Sequence, residues 1–184
     1  IHVSPFEMPG KAIIPTRTMA EAVKLFGKAE TLMVASSGAQ WFVSDGDKTL
    51  ITQVIEGNFP DWKAIIPKEQ KTTITFDMAA LSASLRRVLL MSANNVVKFE
   101  TGPDGLLLSC QADEIGQAED VVSATIAGDS LPAFAMNGKF TLDALAAVRT
   151  NPVKMHVNHP TFPIVIEDGT KWQAVVMPMH LEGR

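Results

Sequence analysis

Cysteine is almost missing from this chain. Cys110 is the only one, so no internal disulfide can form and nothing in the thiol content points to an oxidising compartment. Long apolar runs are missing as well: stretches such as Ala174 to Met179 and Val88 to Met91 fall far short of the ~18 residues that suggest a membrane span. No targeting segment is visible. These absences lead us to expect a cytoplasmic protein without a membrane partner. There is no basic surplus either. Lys and Arg number 16 against 20 Asp and Glu, for a net charge of −4, which argues against a domain that grips nucleic acid by bulk positive charge. Any contact with DNA has to come from a local surface.

The usual marks of catalysis are also lacking. The sequence has no glycine-rich phosphate loop, nucleophile elbow or metal-ligand cluster. His156 and His159 stand three residues apart, which places them on opposite faces of a strand, and Pro160 marks a turn edge. They do not read as a metal pair. Cys110 ends the strand-like run Leu106-Leu107-Leu108-Ser109 and reads as a partly buried structural thiol rather than a nucleophile. We therefore expect no catalytic residue, no metal and no cofactor.

What is present is the composition of an ordinary globular protein, 46% hydrophobic and 20% charged. The 184 residues suffice for one sizeable domain, or for one domain and part of another. The first ten residues, Ile-His-Val-Ser-Pro-Phe-Glu-Met-Pro-Gly, read as the end of a strand running into a linker. With Ile rather than Met at the start, they lead us to expect a piece of a longer protein.

A repeat organises the rest. From near Lys11, Lys71 and Pro132 the same order recurs with a period of roughly sixty residues: short strand, amphipathic helix, three strands. The first copy runs through Ala12-Ile13-Ile14, a helix opened by Pro15 and ending near Gly27, and strands Thr31 to Ser36, Gln40 to Ser44 and Thr49 to Ile55. Met19, Ala22, Val23 and Phe26 form its apolar stripe. The second copy has Thr72 to Phe76, a helix N-capped by Asp77 with Met78, Leu81, Leu85, Val88 and Leu89 on one face, then strands around Val96 to Glu100, Leu106 to Cys110 and Val121 to Ile126. The third has Ala133 to Met136, a helix from about Phe140 to Arg149, then Val153 to Val157, Ile164 to Glu167 and Trp172 to Met177. Antiparallel sheets with helices on a single face bury such units economically, so the expected class is α+β.

Two segments that punctuate the repeats carry a family resemblance. Val54-Ile55-Glu56-Gly57-Asn58-Phe59-Pro60-Asp61-Trp62, continuing through Ile65-Ile66-Pro67-Lys68, resembles the strand end and linker closing the middle domain of the bacterial DNA polymerase III beta subunit, the sliding clamp. Val175-Val176-Met177-Pro178-Met179-His180-Leu181 is similar to that family's last strand and tail. The two occur in the right order and at the right separation. The resemblance covers nearly the whole chain but only about the last half of the family's length. It implies a DNA-clamp fold, with sheets outside and helices on one face. Residues 1–10 would be linker, 11–69 the second half of the middle domain and 70–184 the C-terminal domain.

The resemblance also implies a function, that of a non-catalytic processivity factor. Two subunits close a ring around duplex DNA without reading its sequence and tether the DNA polymerase III catalytic subunit. The clamp loader and other clamp-binding proteins are further implied partners. Sliding is compatible with the mild negative charge, since tight basic contacts would release counterions and bind strongly. Basic residues of the helices would face DNA: Arg17, Lys24, Lys28, Arg86, Arg87, Lys139 and Arg149, although a charged helix face is otherwise a solvated stripe. Arg86 and Arg87 are roughly 100° apart on a helix, so at most one points squarely inward.

A short apolar peptide of the Gln-Leu-x-Leu-Phe type would dock in a cleft. The matching residues are Pro60, Ile65, Asn137, Phe140, Thr161, Pro163 and the run Val175, Val176, Met177, Pro178, Met179, His180 and Leu181. Methionines that repack around different side chains suit a surface with many clients, while alternate residues of the last strand must face the core. Leu90 and Met91 match a region that meets the neighbouring subunit. His180, Phe140 and Ala64 depart from the more basic, hydroxylated and long basic side chains common at those places. The alternative is a truncated clamp-like module that binds proteins without encircling DNA. Ring closure in the family takes twelve repeat units, so three per chain imply four subunits or a missing N-terminal half; we expect the latter.

Overall fold

The computed structural model describes residues 2–3, 12–112, 116–170 and 172–181. The expected linker at 1–10 lies outside them except for His2 and Val3, and so do residues 182–184. The chain divides into two compact units, Ile1–Asp61 and Trp62–Arg184.

The first unit contains β1 (His2–Val3), α1 (Thr16–Phe26), β2 (Thr31–Ser37), β3 (Gln40–Ser44) and β4 (Thr49–Gln53). They form one sheet in the order β1-β2-β3-β4, with β1 parallel to β2 and the remaining pairs antiparallel. The strand expected at residues 12–14 is reduced to a single bridge between Ile13 and Ile55. Pro15 presets the helix start at φ −57°, and its carbonyl accepts from the Met19 N–H at 3.2 Å. The buried face of α1 is narrower than its apolar stripe. Ala22 and Phe26 join Trp41 and Val43 in the core, and one turn earlier the hydroxyls of Thr18 and Thr52 hydrogen-bond at 2.9 Å. Met19 and Val23 stay 44% and 69% exposed, because the i, i+4 row of Thr18, Ala22 and Phe26 is the one that meets the sheet.

The second unit is built from β5 (Thr72–Phe76), α2 (Met78–Leu89), β6 (Val96–Gly102), β7 (Gly105–Ala112), β8 (Gly116–Val122) and β9 (Ala124–Gly128), followed by β10 (Phe134–Asn137), α3 (Gly138–Ala146), β11 (Val153–Val157), β12 (Ile164–Glu167), β13 (Gln173–Val176) and β14 (Pro178–Met179). Two five-stranded antiparallel sheets result, ordered β14-β10-β6-β7-β8 and β13-β12-β11-β5-β9. The second and third repeats are thus not separate bodies. Each contributes its first strand, β5 or β10, and its last short strand, β9 or β14, to the sheet that holds the middle strands of the other. The run expected as one strand from Val121 to Ile126 is therefore two. The chain changes sheets at Ser123, as it does again at Met177.

Alternation sorts the strand residues. Val97, Phe99, Leu106, Leu108, Ile74, Met155 and Ile164 are fully buried and meet Leu81, Leu85 and Val88 of α2 in one core. Each such buried side chain contributes about 1.5–3 kcal/mol. Phe99 and Phe134, directly opposite in β6 and β10, stack with centroids 5.2 Å apart. The start of α2 is fixed by Asp77, whose carboxylate accepts from the Ala80 N–H at 2.8 Å.

The third helix differs from expectation at both ends. The Asn137 side chain accepts from the Lys139 and Phe140 N–H groups at 3.0 and 3.2 Å, which starts α3 at Gly138. Gly138 is tightly enclosed: a Cβ there would lie 2.8 Å from Leu89 Cδ2 and 3.0 Å from Val97 Cγ2, so those side-chain ends would have to shift to admit one. The helix stops at Ala146, and Arg149 lies beyond it, its N–H donating to the Asp168 carboxylate at 3.0 Å. The stretch before β5 packs with the second unit because Asn158 accepts from the Lys71 N–H at 2.8 Å and donates to the Glu69 carbonyl at 2.6 Å.

Candidate functional site

The chain crosses from one sheet of the second unit to the other at Met177. On one side β13 ends with Val176 opposite Ile164; on the other β14 begins with Pro178 opposite Met136. Pro163 and Asn137 are the residues next in line on β12 and β10. At a strand spacing of about 4.8 Å, the crossing brings Asn137, Met177 and Pro163 into one row. Asn137 also holds the first turn of α3, and with it Phe140, which is 64% exposed. Thr161 is exposed two residues before Pro163, which is half-buried.

Alternation decides which residues of the last segment are free. Val176 is 7% exposed and belongs to the core, so its expected place in a binding cleft is withdrawn. Pro178 lies opposite the buried Met136 and shares its core-facing side. Val175 and Met179, opposite Val165 and Ala135 in the two sheets, are half-buried. Met177 is 55% exposed, and Met179 with His180 and Leu181 lines a depression of about 760 Å³, opposite the polar side chains of Lys98, Ser109, Gln111 and Gln117. Ile65 is exposed in the stretch before β5, and Pro60 is exposed in the first unit.

Phe162 is absent from the residues singled out by sequence. It is 55% exposed and next to Pro163. Its N–H closes a turn onto the His159 carbonyl at 3.1 Å, and its ring lies 5.2 Å from the His159 ring at 49°. His159 Nδ1 in turn bonds the Thr161 hydroxyl at 2.9 Å. The available signal was a proline-containing turn flanked by His and Phe beside a cleft residue.

The seven basic residues are all exposed, but they are not equivalent. Lys24 pairs with Glu21 at 3.0 Å. Arg87 reaches from α2 to Asp120 on β8, its Nε donating at 2.9 Å. Partial burial alone would raise the Asp120 pKa, but the hydrogen bonds and charge of Arg87 outweigh it and hold the carboxyl below its usual range. Of the adjacent pair, Arg86 is the cation without a carboxylate partner among the described residues. Arg149 lies off the helix, and Asp168, held below the ordinary carboxylate range first by the Thr170 hydroxyl and then by the Arg149 N–H, fixes the loop it sits in. Leu90 is 82% exposed at the end of α2, whereas Met91 packs partly against the core.

Neither histidine of the 156–159 pair joins a metal cluster: among the described residues no three His, Cys, Asp or Glu side chains are grouped to hold an ion. His156 is buried, with Nδ1 3.0 Å from the Thr73 hydroxyl and Nε2 3.0 Å from Glu167. Cys110 is 6% exposed; burial pushes its pKa up and its thiol donates to the Val88 carbonyl at 3.1 Å.

Residues 63–180 match the model of the DNA polymerase III beta subunit, C-terminal domain. The chain belongs to that family. Among curated relatives, the beta sliding clamp of Synechocystis is 28% identical over 177 residues, covering 91% of this chain and 45% of the relative. The beta sliding clamp of Staphylococcus aureus is 27% identical over 160 residues, covering 84% and 42%. Among solved structures, the DNA polymerase sliding clamp of Caulobacter crescentus superposes with a TM-score of 0.85 at 26% identity, covering 95% of this chain and 47% of that one. The DNA polymerase III beta subunit of Thermotoga maritima gives 0.79 at 27% identity, covering 90% and 46%. The family's α+β clamp fold, with antiparallel sheets and few helices, is therefore the fold of this chain. The chain spans about half the length of the curated relatives it matches. No helix among the described residues is long and apolar enough to cross a membrane.

Proposed function

We propose that this chain works as the C-terminal half of a sliding clamp, the part of a non-catalytic processivity factor that docks short peptides of its clients while the ring encloses duplex DNA. The first unit, with residues 62–69, acts as the closing half of a middle domain, and residues 70–184 as the C-terminal domain. The polymerase III catalytic subunit, the clamp loader and other clamp-binding proteins would share the cleft. A bacterial cytoplasm is the setting this implies.

The observation that carries the reading is the crossing at Met177. There Met177 is exposed in the row with Pro163 and Asn137, Phe140 is exposed on the helix that Asn137 caps, and Met179 is half-buried two residues on, on a fold whose relatives are named for sliding and for polymerase III. Exposed apolar side chains grouped beside a polar rim mark docking surfaces in soluble proteins, and methionine suits a surface that accepts several partners. Arg17, Lys28, Arg86 and Lys139 are the cations best suited to face DNA, since Lys24 and Arg87 already hold carboxylates and Arg149 is off its helix. Leu90, with Met91 behind it, is suited to meet a neighbouring subunit.

Two measurements test this. A fluorescent Gln-Leu-Ser-Leu-Phe peptide should bind, and Met179→Asp should weaken it tenfold or more by placing a charge against apolar peptide side chains; equal affinity in the variant removes the cleft. For encirclement, the protein assembled with its ring partner should stay on nicked circular DNA and slide off once the DNA is cut. Loss from both forms would leave peptide docking alone, as in a truncated module.

A further inference from the structure

We propose that Phe162 is a specificity-determining residue of the peptide cleft, an aromatic shelf that selects docked peptides carrying an aromatic side chain directly beside the apolar core motif. The inference rests on the cleft reading given above and extends it to residues outside the motif.

Phe162 is displayed rather than packed. Its ring is 55% exposed, yet one side leans on His159, with centroids 5.2 Å apart. Contacts brace the support at each joint. Pro160 occupies the second position of the turn that the Phe162 N–H closes onto the His159 carbonyl, where its fixed φ is favourable. The imidazole is held from the other side, Nδ1 lying 2.9 Å from the Thr161 hydroxyl and 3.3 Å from the Thr161 N–H. A ring immobilised in advance loses little freedom when a ligand covers its open face.

Position supplies the second argument. Phe162 immediately precedes Pro163, which stands in the row with Met177 and Asn137, and Phe140 rises from the helix that Asn137 caps. Exposed phenylalanines thus stand beside two members of the row, Phe162 next to Pro163 and Phe140 on the helix that Asn137 caps. Aromatic rings pair favourably edge-to-face or offset-stacked, so a tryptophan flanking the motif is the side chain that gains most from the open face.

The test uses four peptides with the core Gln-Leu-Ser-Leu-Phe, carrying Trp or Ser immediately before or immediately after it, measured by fluorescence anisotropy. At one flank the wild-type chain should prefer Trp by roughly two- to twelvefold, the range an aromatic pair supplies. Phe162→Ser should erase that preference, bringing the Trp- and Ser-flanked peptides to equal affinity. His159→Ala, with Phe162 left less supported, should reduce the preference without abolishing it. No Trp preference at either flank, or one that survives Phe162→Ser, overturns the role of Phe162 even when Met179→Asp weakens every peptide. If the Ser-flanked peptides do not bind the wild-type chain at all, the cleft reading and this inference fall together. Because Phe162 is exposed, melting temperatures of the variants should match wild type.

Discussion

Replacing Asn137 by alanine separates capping from contact at the centre of the cleft. The side-chain oxygen of Asn137 accepts from two N–H groups of α3, at 3.0 and 3.2 Å. Alanine leaves both without an acceptor from the cap. Losing such a cap costs about 1 kcal/mol, within a range of 0.5–2. For a unit of this size, that corresponds to a fall of roughly 3–6 °C in Tm. Aspartate keeps the acceptor and adds a negative charge at the helix N-terminus, favourable by about 0.3–1 kcal/mol, so Asn137→Asp should melt at or above wild type. Thermal unfolding followed by circular dichroism, with urea titration as a check, measures both. A wild-type Tm in the alanine variant, or an equal loss in both variants, refutes the capping argument. Peptide affinity adds a second readout: because the Phe140 N–H depends on the same oxygen, alanine should weaken binding and aspartate should largely retain it.

Two further outcomes follow from polar and backbone contacts elsewhere in the second unit. Asp77 is held below the usual carboxylate range, first by the Ala80 N–H and then by the Asn151 amide. With a lowered folded-state pKa, its stabilisation is complete above the unfolded value of about 3.9 and is lost as pH falls through the lower folded value. Asp77→Asn keeps a capping oxygen but cannot titrate, so its Tm should fall less steeply than wild type's below about pH 4; an equally steep acid limb would count against the assignment. Gly128 adopts φ +111°, and a Cβ there would collide with the Lys71 carbonyl oxygen. Gly128→Ala should cost at least about 1–3 kcal/mol, and an unchanged urea midpoint would contradict the strain argument.

Local pattern located most elements because each has a period and punctuation of its own. β5, β11 and β12 occupy the expected residues, and Asp77 caps α2 as its residue type suggests. Where expectation failed, a distant contact had decided the matter. The start of α3 is the exception: Asn137 is a capping residue by type, and its bonds to the Lys139 and Phe140 N–H groups begin the helix at Gly138 rather than at Phe140. The division at Ser123 comes from a change of sheet, which alternation within one segment does not encode. The same holds for the exchange of first strands between repeats: the period reveals copies, not which copy completes which sheet. In the last segment, the family resemblance treated Val176 like Met177 and Met179, and only the register with Ile164 sorts Val176 to the core. The display of Phe162 has no trace in a motif because it comes from a turn and a ring contact with His159.

The late position of β14 has a consequence for synthesis. During translation the second repeat emerges with its sheet unfinished, lacking β10 until residue 137 and β14 until residue 179. A nascent or prematurely released chain that stops before residue 173 would expose the edge of β10 that β14 otherwise covers. Until β14 is made, the sheet β14-β10-β6-β7-β8 is one strand short, so neither of the two intertwined repeats can finish its fold before the other has been made.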